Sequence, residues 1–402
     1  MLSSLTAPDR MRRPAVAMLC CVMAGYLLAA LGGFGLPTML AFAALLVAAV
    51  WALTTVRDPR AAWMVVTVVA LLAIALGSPS DEWDPRSIWL FHARRIFEDG
   101  SLYAMLDGYA GFSHNDYPAL VPLLSASSAQ LVGHWNELFP KAAGTLLLLP
   151  ALLLIARSLR TWWVAGLFAV VTLQVGGRYL ADGYMDALLA VYAVAALASA
   201  ARCTERSKGI AWGELLPFVL STAVLSLIKN EGMVLAVVIA AATVLAVLLR
   251  ERRVPWALLI AFVVAMLPLL AWKLAVAGAN LTNDLASSDM KGQLLARLPE
   301  VSNSILILKK LFREWALVPL LVLAVLWRRT WATPVVLAGA VAGLVYAGVL
   351  YAVYLGTPHD LEWHLATSVK RVVLPVFLLL MYALLVVVDR WRPSPEAAPV
   401  AQ

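Results

Sequence analysis

Charge is scarce in this chain. Asp, Glu, Lys and Arg together make up 14% of it, against about 25% in a soluble globular domain. Cysteine is nearly absent, at Cys20, Cys21 and Cys203. Two of these are adjacent in an apolar run and the third lies in a short basic stretch. Neither a disulfide framework nor a thiolate metal site follows from that spacing. The long apolar runs also lack strict apolar–polar alternation, which excludes a transmembrane β-barrel. No internal repeat is evident, and no polar stretch is long enough to stand as a separate soluble domain.

What the sequence has is apolar length. Hydrophobic residues form 62% of it, beyond the about 45–50% of soluble proteins. Lipid is then the solvent for most of the chain. A helix needs roughly 20 apolar residues to cross a bilayer core of about 30 Å, and lipid offers the backbone no partners, so the spanning segments must be helices. The expected fold is all-α and polytopic, with about twelve transmembrane helices. They fall at 15–33, 36–56, 61–77, 138–156, 161–177, 184–200, 213–228, 231–249, 255–277, 314–327, 332–355 and 369–389. Arg12-Arg13 precedes the first run as in an export signal. That run is long, lacks a small-x-small cleavage site and is followed by further spans, so it reads as the first transmembrane helix.

The formal net charge is +7. In a membrane protein the basic residues are a topology signal rather than a nucleic-acid footprint. They gather at 10–13, 57–60, 157–160, 202–208, 250–253, 328–329 and 390–392. Two apolar segments separate successive clusters, which places both termini inside. The exception is 117–135. Counting it as a span would invert everything after it, so it reads as a re-entrant or juxtamembrane helix against the outer surface. The outer segments are then 78–137, 278–313 and 356–368, with short turns at 178–183 and 229–231. One transmembrane domain, 1–391, precedes a Pro- and Ala-rich stretch, 392–402, expected as a disordered cytoplasmic tail.

The acidic residues outside fall in short clusters. Asp81, Glu82 and Asp84 lie within four positions, before Pro85. Asp84 suits the N-cap of a helix starting at Pro85. That helix, through Asp99, mixes Ile88, Trp89, Phe91 and Phe97 with Arg94 and Arg95, as a headgroup-layer helix does. A cap needs one carboxylate rather than three, and the surplus suits a general base at the water–lipid boundary. His114 and Asp116, before Tyr117-Pro118, suit a polar turn, or the orienting of a sugar or cation. Asp182 and Asp186 are four apart, as on one helix face, and Asp186 lies inside an apolar segment, where a charge is costly and usually functional. Lys229 and Glu231 flank a tight turn, where they either pair at the surface or meet a lipid phosphate. Asp360, His364, Ser368 and Arg371 form one stripe on a helix, and the fork of Arg371 matches phosphate oxygens. Asp360 and His364 have ligand-like spacing without a third ligand near them in sequence.

Carboxylates that can take a proton and cations that can neutralise a phosphate, all on one side, suit sugar transfer from a lipid-linked phosphate donor. The order of features resembles the GT-C superfamily of membrane glycosyltransferases. That group includes protein O-mannosyltransferases, aminoarabinose transferases that modify lipid A, and the catalytic subunit of oligosaccharyltransferase. The features that carry the resemblance are Asp81-Glu82-Trp83-Asp84 in the first large outer loop, Tyr117-Pro118-Ala119-Leu120, Asp182 and Asp186, Lys229–Gly232, and Trp363-His364-Leu365 through Arg371. It spans roughly residues 60–390. Two helices precede the one leading into the acidic loop, where many relatives have one, and no large soluble domain follows the last span.

The resemblance implies a glycosyltransferase of the bacterial inner membrane, active on the outer face and inverting at the anomeric carbon. Asp84 would be the base, with Asp81 or Glu82 as substitutes. Asp182 and Asp186 would position the acceptor or a divalent cation, the one cofactor these residues suggest. Lys229, His364 and Arg371 would hold the phosphate of a polyprenyl-phosphate sugar donor, with His114, Asp116, Glu231 and Asp360 lining the substrate site. The acceptor would be a glycan, lipid or protein. Two other classes compete. A transporter or lipid-linked glycan flippase would place polar sites near the midplane, usually with repeats. An O-antigen-ligase-like or polymerase-like enzyme would lean on basic and His residues in a late large loop, rather than on an acidic first loop.

Overall fold

Every regular element among the described residues is a helix, as lipid solvent requires. The computed structural model describes residues 7–204, 212–281, 289–312 and 316–391, so the expected tail 392–402 lies outside the described residues. The first half runs α1 (Ala7–Gly32), α2 (Leu36–Thr55), α3 (Pro59–Gly77), α4 (Phe91–Asp99), α5 (Leu120–Val132), α6 (Leu138–Leu146), α7 (Leu148–Ser158), α8 (Trp162–Asp182) and α9 (Met185–Thr204). The second half runs α10 (Trp212–Ile228), α11 (Asn230–Glu251), α12 (Trp256–Gly278), α13 (Met290–Arg297), α14 (Val301–Leu311), α15 (Leu317–Val325), α16 (Trp327–Ala332), α17 (Pro334–Gly356), α18 (Leu361–Val372) and α19 (Leu374–Trp391).

Among the described residues ten helical stretches are long and apolar enough to cross a bilayer, and each coincides with an expected span. The protein is an all-α polytopic membrane protein. Of the other two expected spans, 213–228 is the apolar part of the shorter helix α10, and 314–327 is described only from residue 316, where it forms α15 and the start of α16, residues 314–315 lying outside the described residues. Leu31, Val47, Ile260 and Leu274 stand exposed on the outside, where lipid covers them. At the centre is α9, whose residues 185–200 are all buried. Its small side chains, among them Ala187, Ala190, Ala193 and Ala196, let the neighbouring helices approach closely.

Two stretches that read as continuous are broken. Pro150 has no N–H for the carbonyl of Leu146, and the chain turns at Leu147 between α6 and α7. The Leu147 carbonyl accepts the Tyr192 hydroxyl at 2.9 Å instead. Pro375 acts in the same way on the carbonyl of Arg371, and the chain turns at Val373 between α18 and α19.

Alternating helix directions give the bundle two distinct ends. At one, Arg157 forks onto Glu214 at 2.5 and 2.6 Å, Arg60 donates to the Leu159 carbonyl at 2.5 Å, and Asp389 accepts the backbone N–H groups of Arg160 and Thr161 at 2.6 and 3.0 Å. At the other lie the 78–119 segment, the 182–185 and 229–230 turns, and the start of α18. The helix expected against the outer surface is α5, and the structure corrects its setting. Its 13 residues reach about 20 Å, too short to span. The helix starts from the 78–119 layer and its C-terminal end returns to it, since Trp135 packs on Phe97 and Arg86 lies 3.5 Å from Glu137. Residues 120–129 are all buried, so α5 is an inner layer beneath α4 rather than a surface helix. A reporter fused at Gly108 and one fused at Arg157 should therefore score on opposite sides of the membrane. The same side for both would make this arrangement untenable.

Candidate functional site

Asp84 does not act as the cap that its place before Pro85 suggested. Its backbone is already helical, at φ −58° and ψ −46°, and its side chain makes no capping bond. A π-helical turn, Pro85–Leu90, follows it and leads into α4. Such turns gather at functional sites. The Asp84 carboxylate is thereby turned across the bundle, where it accepts from Nη1 of Arg371.

Arg371 is the centre of a chain of alternating charges. Its Nη1 also lies 3.3 Å from Oδ2 of Asp186, and its guanidinium rests 5.1 Å from the ring centre of Tyr184. Asp186 sits in the first turn of α9 and is 4% exposed. Its other oxygen meets Nζ of Lys229 at 3.1 Å. Lys229 is 7% exposed, lies 2.9 Å from Oε1 of Glu231, and stands over the Tyr117 ring at 5.7 Å. The order is thus Asp84, Arg371, Asp186, Lys229, Glu231, drawn from four separate stretches of sequence. Burying isolated charges costs several kcal/mol each, so a row of this kind persists only when each charge has an opposite neighbour.

The turn that presents Lys229 is tight. The Gly232 N–H donates to the Lys229 carbonyl at 2.8 Å. A second cluster lies beside the chain. Glu82 accepts from Arg178 at 2.6 Å and from the Tyr184 hydroxyl at 3.0 Å. Burial, then this bond to Glu82, raises the pKa of the Tyr184 hydroxyl above the ordinary tyrosine value. Ser80 donates to the Asp182 carbonyl at 2.9 Å, fixing the acidic loop to the end of α8. Lys141, 3% exposed, reaches the Ser78 carbonyl at the end of α3.

Asp182 and Asp186 do not share a helical face. Asp182 ends α8, Gly183 follows in the left-handed region at φ 90°, and α9 begins at Met185. The Asp182 side chain turns back to Arg178 at 3.4 Å. Among the described residues no three His, Cys, Asp or Glu side chains come together as metal ligands. Asp360 caps α18 through the Trp363 N–H at 2.8 Å. His364 bonds Thr357 at 2.8 Å and meets the Tyr354 ring edge-on, without joining the charged chain. Asp81 is exposed to solvent. Ser368 continues the stripe by bonding Tyr354 at 2.8 Å, and Arg371 completes it.

The second sequence cluster forms the flank of the site. Asp116 accepts from Asn230 at 2.6 Å and lies 3.9 Å from Lys273, while its carbonyl accepts the Trp272 indole N–H at 3.1 Å. His114 stacks on Tyr117 at 4.9 Å, and Trp89 stacks on the same tyrosine at 5.6 Å. Residues not singled out from the sequence are Tyr184, Arg178, Lys141, Asn230, Lys273 and His92. Lys141 and Lys273 carried a usable signal, each being a lone cation in an apolar run.

His92 is 1% exposed and holds the loop together, with Nε2 3.1 Å from Ser113 Oγ and 3.2 Å from Asn115 Oδ1. Burial lowers its pKa from 6.5 to about 4, with the charges of His114 and Arg95 acting in the same direction. The folded protein therefore refuses a proton that the unfolded chain accepts below pH 6.5. Stability is full above that pH and falls by up to about 3 kcal/mol as pH drops toward the folded value. Thermal melting on either side of this window should show a lower midpoint on the acid side, and His92→Gln should flatten the difference. An undiminished difference in that variant would remove His92 as its source.

A cavity of about 420 Å³ lies behind the chain, between α8, α14, α18 and α19. Leu365, Val369 and Phe377 give it an apolar wall, with Tyr179, Lys310 and Lys370 also lining it. Tyr179 packs edge-on against Tyr184 at 5.6 Å, so one aromatic pair separates the cavity from Arg371. Comparison with protein-family models, curated proteins and solved structures gives no match.

Proposed function

We propose that the protein is a membrane glycosyltransferase that moves a sugar from a polyprenyl-phosphate donor to an acceptor hydroxyl. The observation that carries this reading is the charged chain itself. It joins a part-exposed carboxylate, Asp84, to the cation Arg371 and, through Asp186, to a second cation, Lys229, at a bundle end flanked by an apolar cavity. An acceptor hydroxyl gives its proton to Asp84, and its oxygen attacks the anomeric carbon from the face opposite the phosphate. The bond between that carbon and the phosphate oxygen breaks, and polyprenyl phosphate leaves with the bonding electrons. Arg371 and Lys229 meet the charge that develops there. The cavity between α8 and α18 receives the first part of the lipid tail, and Lys310 and Lys370 add positive charge to its wall.

The arginine clusters at the opposite end carry the bias expected of an inside face, which supports a site on the outer face of a bacterial inner membrane. Asp116, His114 and Tyr117 then line the acceptor side, as a carboxylate beside stacked rings.

The test is transfer of labelled sugar from polyprenyl-phosphate donors by the purified protein in vesicles, together with lipid-linked and surface glycans from cells with and without the gene. No transfer with any such donor, and unchanged glycans, would sink the proposal. One observation favours a transporter: Pro375 interrupts the helical ladder at Arg371, as Pro-interrupted helices do in transport sites. Movement of a lipid-linked sugar between leaflets without transfer would select that reading.

A further inference from the structure

We infer that Arg371 is handed from Asp84 to the donor phosphate, so that the base is freed only once donor is bound. This rests on the glycosyltransferase reading and concerns how that site is switched. In the structure one guanidinium nitrogen, Nη1, serves two carboxylates, Asp84 and Asp186. The two are not equivalent. Asp186 is buried in the first turn of α9 and keeps Lys229 at 3.1 Å on its other oxygen. It retains a cation when Arg371 turns away. Asp84 makes no other ion pair or hydrogen bond among the described residues. Withdrawal of Arg371 therefore costs Asp186 little and leaves Asp84 unengaged.

The competing ligand is better matched to the guanidinium. A phosphate accepts two parallel bonds from an arginine fork, whereas Asp84 is met through Nη1 alone. The guanidinium also lies over the Tyr184 ring at 5.1 Å, a flat surface across which a cation moves without losing contact. It belongs to the last turn of α18, next to the break that Pro375 imposes, where the helical hydrogen-bond ladder is interrupted. In the absence of donor, an acceptor hydroxyl meets a carboxylate already engaged by Arg371. When the donor phosphate takes the guanidinium, Asp84 turns to the hydroxyl and accepts its proton. The order of events follows: donor first, base second.

The consequence is counter to the usual effect of removing a site residue. Asp84 competes with the phosphate for Arg371, so Asp84→Asn should bind undecaprenyl phosphate, which carries no sugar, about tenfold more tightly than the natural protein. Asp84→Ala should shift affinity in the same direction. Melting and elution profiles matching the natural protein establish that the variants are folded. A second measurement needs no variant. Carbodiimide labelling of Asp84 in the natural protein, read by mass spectrometry, should rise when undecaprenyl phosphate is added. Unchanged or weaker binding by both variants, or labelling that stays level or falls, overturns the hand-over while leaving the donor reading intact. If the natural protein itself binds no undecaprenyl phosphate, the donor reading fails and the hand-over falls with it.

Discussion

Asp84→Asn is expected to lower the rate of sugar transfer by about 10²–10⁴-fold, the range that a positioned base contributes, while the protein stays folded. Asparagine keeps the shape of the side chain and one oxygen for Arg371, so the bundle loses charge rather than packing. Asp186 and Lys229 remain paired beneath it. The substitutes suggested by the sequence are not positioned to rescue the reaction. Asp81 is exposed to solvent. Glu82 has one oxygen on Arg178 and the other on the Tyr184 hydroxyl. The measurement is single-turnover transfer at saturating donor, where binding differences no longer count. Tighter donor binding with lost turnover is the combined signature of Asp84 as both competitor and base. Transfer within a few-fold of the natural rate would move the base elsewhere in the chain, with Glu231 next in line as its other terminal carboxylate.

The sequence exposed the members of this site better than their connections. Asp186 stood out because a charge inside an apolar run is expensive and is kept for a reason, Lys229 because it sits in a tight turn between apolar helices, and Arg371 because it ends a polar stripe on a helix. Their alternation could not be read, because Arg371 and Asp84 are 287 positions apart and only the packing of α18 against the loop and α9 joins them. Helical spacing misled for Asp182 and Asp186, since Gly183 ends one helix between them and the two side chains part. It succeeded for His364, Ser368 and Arg371, where no glycine or proline interrupts α18. The breaks at Leu147 and Val373 were legible in principle from Pro150 and Pro375, but hydropathy alone runs straight through them. Asp84 read as a cap for a sound local reason, and tertiary contact with Arg371 outweighed that preference.

Gly232→Ala is expected to cost about 3 kcal/mol, the upper end of the usual overpacking range, because the turn has no way to relax. A Cβ at this position would lie 2.0 Å from the Leu225 carbonyl oxygen and 3.1 Å from Cδ1 of Leu189. The first contact is with backbone, so no side chain can swing aside to relieve it. Either α10 or α11 must shift, and the turn between them carries Lys229. The bundle would melt earlier, and the protein that remained folded would hold Lys229 away from Asp186. Transfer should then fall beyond what the lost stability explains. Gly348→Ala is the control, because an added Cβ there meets nothing within 4 Å. A helical Gly-to-Ala change in open space is worth about 1 kcal/mol in favour of the folded state, so that variant should melt at or above the natural temperature. Leu189→Ala added to Gly232→Ala should recover little, since it removes the lesser contact. Full recovery in that double variant would place the strain on the α9 side and detach the turn geometry from the alignment of Lys229.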